Sequence, residues 1–271
     1  RLDTVQVNGT TIAYQQAGSG ECTLLLLHGA MVSHTDWTPQ LSVFGAEYRL
    51  LVPDIRGHGA SGRDGRPYSF AQFAADMVGL MDALGIAEAA VIGHSMGGMV
   101  AQEFALAYPH RTWALVLAET SYGIRSRWYE ALLTDLTIPL IKYYSIEKQA
   151  DLYARVLGKH TPQVKDYIRG EIGALADDPE NVQAIWDAVG GFDAKGRLHQ
   201  LQLLTLILVG EHFRQTHGQG RNMAKLIPGA RFGMVAGAGH MLNWDNPEQF
   251  NSEVLTFLTG VEQRQTGTVF R

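Results

Sequence analysis

Cysteine is almost absent. The 271 residues include a single one, Cys22, which cannot close an internal disulfide. At the head of an apolar strand it reads as a small buried hydrophobe, not a nucleophile. Long hydrophobic runs are missing as well: stretches such as Leu24 to Leu27 and Leu203 to Val209 fall far below the ~20 residues that cross a bilayer. No secretory leader is legible, so a cytoplasmic location is the default expectation, although Arg1 in place of an initiator methionine leaves room for a trimmed segment. Neither sign of charge dominates; the net charge is −5 with no basic run, which argues against nucleic acid and anionic membrane as partners. Spacings such as Cys22 with His28, or His212 with His217, lack the carboxylates of a metal centre. No repeat or low-complexity segment interrupts the chain. What remains, 46% apolar and 18% charged residues, excludes disorder and suits a sizeable buried core.

The pattern along the chain is that of an α/β protein. Thr4 to Val7 and Thr11 to Gln15 alternate around Asn8-Gly9, a tight hairpin signal. Continuous apolar runs at Cys22 to Leu27, Tyr48 to Val52, Ala89 to Ile92, Trp113 to Ala118 and Leu203 to Val209 read as strands buried on both faces. Ser69 to Leu84 has helical spacing, with Ser69 as cap and Gly85 as stop. Arg231 to Val235 reads as a last strand and Pro247 to Leu258 as a closing amphipathic helix, with a polar tail expected to fray after Gly260. Strands alternating with helices imply a mostly parallel sheet covered on both faces. From about Tyr122 to Arg197 the strand rhythm stops and only helical stretches remain, so this block reads as a helical insertion. The division is then a core of 1–121 and 198–271 and a helical cap of 122–197.

Candidate chemistry gathers where strands end, the edge at which open α/β sheets bind ligands. Gly93-His94-Ser95-Met96-Gly97 lies between a strand and a helix pattern. A turn that sharp brings backbones nearly into contact, so the positions flanking the serine must lack Cβ. Ser95 is expected at positive φ, its hydroxyl at a helix N-terminus where the Met96 N–H meets developing negative charge. A serine needs a base, and His240, in Gly237-Ala238-Gly239-His240 after the last strand, is the candidate. One among ten histidines is more often structural; the glycines before it and its place after the last strand favour the base. Ala30, following His28-Gly29, is the second oxyanion donor.

These segments carry a resemblance. Leu27-His28-Gly29, the run Asp54-Ile55-Arg56-Gly57-His58-Gly59-Ala60-Ser61, Gly93 to Gly98 and Gly237 to His240 are similar to the α/β-hydrolase fold superfamily, from about residue 5 to 259. The resemblance implies an eight-stranded sheet, a cap inserted after the sixth strand, and a Ser-acid-His triad. Arg56 to Ile86 looks most like small capped esterases and lactonases, including enol-lactonases. One position departs: where most members carry an aspartate after the seventh strand, Gly210-Glu211-His212 is followed by Phe213. Some members, among them a branch of the haloalkane dehalogenases, place the acid after the sixth strand, which here is Glu119. Glu119 is the preferred acid; Glu211, another nearby carboxylate or a bare Ser-His pair are the alternatives, and the structural alternative for Glu119 is to anchor the start of the cap through backbone N–H groups.

The Asp54-to-Ser61 loop is expected to be architectural, through an Asp54–Arg56 pair, with His28 holding its own loop. His34 is a candidate pocket residue, whereas Trp37 is expected to pack below the site. Of the cap aromatics (Tyr122, Trp128, Tyr129, Tyr143, Tyr144, Trp186, Phe192), most are expected to be core. Met31, Trp128, Trp186 and Met241 are the candidate walls of an apolar pocket. The sequence thus points to a serine hydrolase of a small, largely apolar ester or lactone, with no cofactor and a small-molecule substrate as partner; homo-oligomer formation is left open. Carbon–carbon bond hydrolysis or perhydrolysis would use the same groups, and a cap-covered binding protein with weak or no turnover is the rival from another class. Dehalogenases and epoxide hydrolases are disfavoured, since they carry aspartate where Ser95 stands.

Overall fold

Asn8 and Gly9 take φ of 47° and 75°, the pairing a two-residue hairpin demands. They join β1 (Leu2–Val7) antiparallel to β2 (Thr10–Ala17). In the computed structural model, which describes residues 1–124 and 144–265, six strands follow: β3 (Thr23–Leu27), β4 (Arg49–Pro53), β5 (Ala89–His94), β6 (Thr112–Ala118), β7 (Thr205–Gly210) and β8 (Arg231–Val235). They make one sheet in the order β1-β2-β4-β3-β5-β6-β7-β8. Among the described strands only β2 runs against the others. The eight-stranded, mostly parallel sheet is therefore as expected.

The longer helices among the described residues are α1 (Phe70–Ala83), α2 (Met96–Ala107), α3 (Ile146–Leu157), α4 (Pro162–Gly173), α5 (Pro179–Gly191), α6 (Arg214–Leu226) and α7 (Pro247–Gln265). Successive strand side chains point to opposite faces. Leu25, Leu27, Val91 and Leu115 join a core with Phe73 of α1, Phe104 of α2 and Met223 of α6. Leu24, Leu26, Ile92 and Val116 join a second core with Trp37, Phe44 and, from α7, Phe250 and Val254. Ser69 Oγ accepts from Gln72 N at 3.2 Å to cap α1, and Gly85 (φ 66°) ends it. Helix α7 continues to Gln265, past the fraying expected after Gly260.

Between β6 and β7 the described residues hold α3, α4 and α5 and no strand. Their apolar faces, with Ile146, Ile168 and Ile185, continue the first core. Polar ties dock them: Tyr68 donates to Asn181 Oδ1 at 2.6 Å, and Thr35 donates to Glu171 at 3.0 Å. Phe192, at the end of α5, packs its ring 4.4 Å from that of Phe70. Tyr122 and Phe192 are buried as expected, but Tyr144 is 56% exposed and is no core residue. Trp128, Tyr129 and Tyr143 lie outside the described residues.

Two expectations are corrected. Cys22 is exposed, because β3 starts one residue later and Cys22 joins the sheet edge through its carbonyl, which accepts from Arg49 N at 2.9 Å. Arg56 does not pair with Asp54. Its guanidinium forks onto the two carboxylate oxygens of Asp76 in α1, each at 2.7 Å, with both residues buried. Asp54 instead accepts from His34, through N at 2.6 Å and Nδ1 at 2.8 Å, and from Ala60 N at 2.8 Å. The loop is architectural through other partners than expected. Removing one member of a buried pair leaves an uncompensated charge. Asp76→Asn should lower the unfolding free energy by about 3–5 kcal/mol in urea titration at unchanged slope, whereas Arg63→Ala, which breaks surface pairs with Asp177 and Asp178, should cost under about 1 kcal/mol.

Candidate active site

Strand β5 ends at His94 and α2 begins at Met96, which leaves Ser95 as the corner, at φ 53° and ψ −117°. A Cβ on Gly93 would overlap the Gly97 carbonyl, and one on Gly97 would overlap the carbonyl of Leu27. Glycine at both positions is what permits the turn, and the serine conformation itself costs about 1–3 kcal/mol. Ser95 N donates to Ala118 O at 2.9 Å, and Thr120 Oγ1 donates to Ser95 O at 2.6 Å. The end of β6 thus clamps the corner from the side.

His240 arrives on the loop after β8. Its approach is fixed by His212 N donating to Ala238 O and by Gly239 N donating to Asp245 Oδ2, both at 2.8 Å. His240 Nε2 lies 3.2 Å from Ser95 Oγ. The sheet therefore brings together the hydroxyl and the imidazole that the sequence singled out. Met96, as the first residue of α2, has an N–H without an intrahelical acceptor; Ala30 and Met96 both border the same cavity as Ser95.

The other face of the imidazole departs from expectation. His240 Nδ1 is enclosed and has no hydrogen-bond partner among the described residues. The ring of Phe213 stands 4.7 Å away, tilted by 59°. Glu119 does not hold this nitrogen. It sits at φ 46° just past β6, where Oε2 accepts from Gly210 N at 2.5 Å and Oε1 from the Thr216 hydroxyl. The reason is local: the ends of β6 and β7 are neighbours, and donors at the β7 end and in α6 capture the carboxylate first. Glu211 is turned away too, onto Gly237 N at 2.8 Å.

Burial pushes the Glu119 carboxyl up to about 8, against the opposing pull of Thr216 and the Gly210 N–H. Burial, followed by the nearby His94, pushes His240 down to about 3. At neutral pH the His240 imidazole is thus unprotonated, while the Glu119 carboxyl is largely uncharged.

A cavity of about 310 Å³ opens over Ser95 and His240. Met31, Trp186 and Met241 are in its wall, as expected; Trp128 falls outside the described residues. The wall also takes Met99, Tyr153, Ile168, Ile172, Val189 and Phe213, with Glu119 as its one carboxylate among the described residues. Ile168 and Ile172 are an i, i+4 pair on α4, so the helical spacing carried a signal for them; which face met the serine was not legible. His34 is absent from the wall because Asp54 holds it, and Trp37 packs beneath the sheet against Phe250. His28 holds its own loop, with Nε2 accepting from Ile55 N at 2.9 Å.

Residues 24–253 match the model of the Alpha/beta hydrolase family. A protein of Caulobacter vibrioides provisionally named as the carbamate hydrolase RutD is 30% identical over 252 residues, covering 89% of this chain and 92% of that one. The 2-hydroxy-6-oxo-6-phenylhexa-2,4-dienoate hydrolase of Comamonas testosteroni is 28% identical, covering 91% of each chain. Among solved structures, the enol-lactonase from Burkholderia xenovorans superposes with a TM-score of 0.83 at 26% identity, covering 95% of this chain and all (100%) of that one.

The Glu119 carboxyl binds its proton more tightly when folded than the ordinary value of 4.5 allows. Its contribution to stability is therefore complete below about pH 4.5 and lost as pH rises through about 8. Glu119→Gln cannot ionise. Thermal unfolding across this window should show the variant gaining on the wild type as pH rises, with the gap widest above pH 8.

Proposed function

The chain belongs to the alpha/beta hydrolase family, and from that premise we propose that it is a serine hydrolase of a small, largely apolar carboxylic ester or lactone. The observation that carries this reading is the 3.2 Å approach of His240 Nε2 to Ser95 Oγ at the floor of an apolar cavity. Ser95 attacks the carbonyl as His240 takes its proton. The oxyanion is received by the N–H groups of Met96 and Ala30. His240 returns the proton to the departing alkoxide, which in a lactone stays tethered to the acyl group. Water, activated by the same imidazole, then releases the acid. In this reading residues 122–197 are a cap over a core of 1–121 and 198–271, and the protein works in the cytoplasm; no helix among the described residues is long and apolar enough to cross a membrane.

Glu119 serves as the carboxylate of the site without touching the ring. Once ionised, it adds a negative charge to the wall of the cavity that His240 also lines, and so lowers the cost of forming the imidazolium. Turnover is therefore expected to rise as pH passes about 8, the value to which burial moves this group, and Glu119→Gln should remove that rise. Because the contact is indirect, the loss should be about ten- to a hundredfold at high pH, well short of the ~10⁴ seen when a directly bonded triad acid is replaced in trypsin.

A second reading draws on the unpartnered Nδ1 and on Phe213: a protein that closes on a small molecule and turns it over weakly or not at all. A fluorophosphonate probe separates the two. Stoichiometric labelling of the wild type, abolished in Ser95→Ala, supports the hydrolase, and folded protein that takes no label supports the binding protein. A panel of short-chain esters and lactones should then give turnover that falls by at least about 10³ in Ser95→Ala.

A further inference from the structure

His94 precedes the nucleophile and is buried, with a side chain 2% exposed. Its Nδ1 lies 2.8 Å from Asp36 Oδ2, and its Nε2 lies 3.0 Å from the backbone carbonyl of His240. A carbonyl oxygen only accepts, so Nε2 must carry a proton. Asp36 Oδ2 also accepts from Gly29 N at 3.2 Å, and Asp36 Oδ1 faces Asn243 Nδ2 at 3.4 Å. Two donors converge on Asp36 Oδ2, the Gly29 N–H and His94 Nδ1, and they hold the carboxyl below its ordinary range despite burial; it is therefore ionised and Nδ1 carries a proton too. The ring is an imidazolium inside the protein, neutralised by a fully buried aspartate.

We propose that this buried His94–Asp36 ion pair is a positioning device for the reaction, tying the three catalytic segments together and holding a positive charge beside the base. Asp36 grips Gly29, next to the oxyanion donor Ala30. His94 adjoins Ser95 and grips the carbonyl of His240. The carbonyl of Asp36 in turn accepts from Asn243 Nδ2 and Trp244 Nε1, both at 2.8 Å, just beyond His240. The rings of His94 and His240 are 5.2 Å apart, close enough for a fixed cation to oppose protonation of the second ring.

The titratable groups around the pair set the sign of the effect. Burial disfavours the charged form of His94; Asp36, from the turn after β3, favours it, and Glu119, past β6, adds to this once ionised. His28, at the end of β3, acts on Asp36 in the same sense as His94. On the far side of the His240 loop stand Asp245, holding Gly239, and His160, stacked on His212 at 4.9 Å. After burial, the charge of His94 does most to hold His240 below its ordinary value, and Asp36 opposes it.

The role in catalysis rests on the hydrolase reading, but the ion pair is tested without it. In ¹⁵N-labelled protein at pH 8, long-range ¹H–¹⁵N correlation should show one histidine with both ring nitrogens protonated, a signal missing from His94→Gln and turned neutral in Asp36→Asn. No doubly protonated ring in the wild type at pH 8 overturns the proposal, whatever the variants do. In the same spectra His240 should stay neutral to the lowest pH at which the wild type remains folded. It should titrate on the order of one to two pH units higher in His94→Gln, and higher by less in Asp36→Asn, where the loss of the aspartate's own pull on His240 offsets part of the rise. A His240 titration unmoved by His94→Gln, or moved down by Asp36→Asn, also overturns it. The pH dependence of fluorophosphonate labelling should follow, its acid limb shifting up by the same amount; a uniform drop at every pH would mean packing alone. Wild type that takes no label at any pH defeats the hydrolase reading, while the two nitrogen signatures still decide the pair.

Discussion

The structure depends on how closely two backbones pass at one corner. Between the end of β5 and the start of α2 there is room for a peptide and not for a methyl group, at Gly93 against Gly97 and at Gly97 against Leu27. That contact forces Ser95 to φ 53° and stands its hydroxyl clear of the chain. The strain is affordable because neighbouring strands hold both sides: β3 and β6 flank β5 in parallel register, and the Ala118 carbonyl takes the serine N–H. Everything functional follows from the direction this imposes. Parallel strands end on one edge, so the His28-Gly29 loop, the serine corner, Glu119 and the loop of His240 converge there although they lie far apart in sequence.

What surrounds the base is unusual in sign. A triad aspartate would place a negative charge on the imidazole's outer nitrogen. Here that nitrogen meets no donor or acceptor among the described residues, and an aromatic ring leans on it. The charge nearby is His94, on the inner side, and it is positive and locally neutralised by Asp36. Such an arrangement keeps the resting imidazole unprotonated over a wide pH range. On the hydrolase reading the cost falls on the transition state, where the counter-charges to the imidazolium among the described residues are Asp36, already paired with His94, and at high pH Glu119, beside the oxyanion of the same intermediate.

How much of this was legible follows from the range of each interaction. The hairpin at Asn8-Gly9, the Ser69 cap and the serine corner are local: a few adjacent residues fix them, and the sequence displays them. The approach of His240 to Ser95 was legible because a glycine-flanked histidine after the last strand lies at the same sheet edge as the serine corner. Pairings across the chain were not. Arg56 meets Asp76 because α1 lays its first turns beside the loop, which a reading of Arg56 beside Asp54 has no means to anticipate. Glu119 was rightly placed at the sheet edge, but its partners Gly210 and Thr216 come from about 91 and 97 residues downstream. His94 drew no attention at all, since its partner Asp36 is 58 residues away and each alone is unremarked in composition.

The electrostatics also bear on what such a site turns over. The cavity wall is mostly methionine, isoleucine, valine and aromatic side chains, and its one carboxyl among the described residues is largely protonated at neutral pH. The Asp36–His94 pair adds no net charge. A charged group carried into this space would shed its hydration without a partner, a penalty of several kcal/mol. A neutral ester or lactone escapes it. Hydrolysis then turns that neutral ligand into a carboxylic acid that ionises in water, and the ion is the species this cavity holds least well. On the hydrolase reading, the poverty of charge that leaves the imidazole without a carboxylate thus favours entry of the substrate and departure of the product.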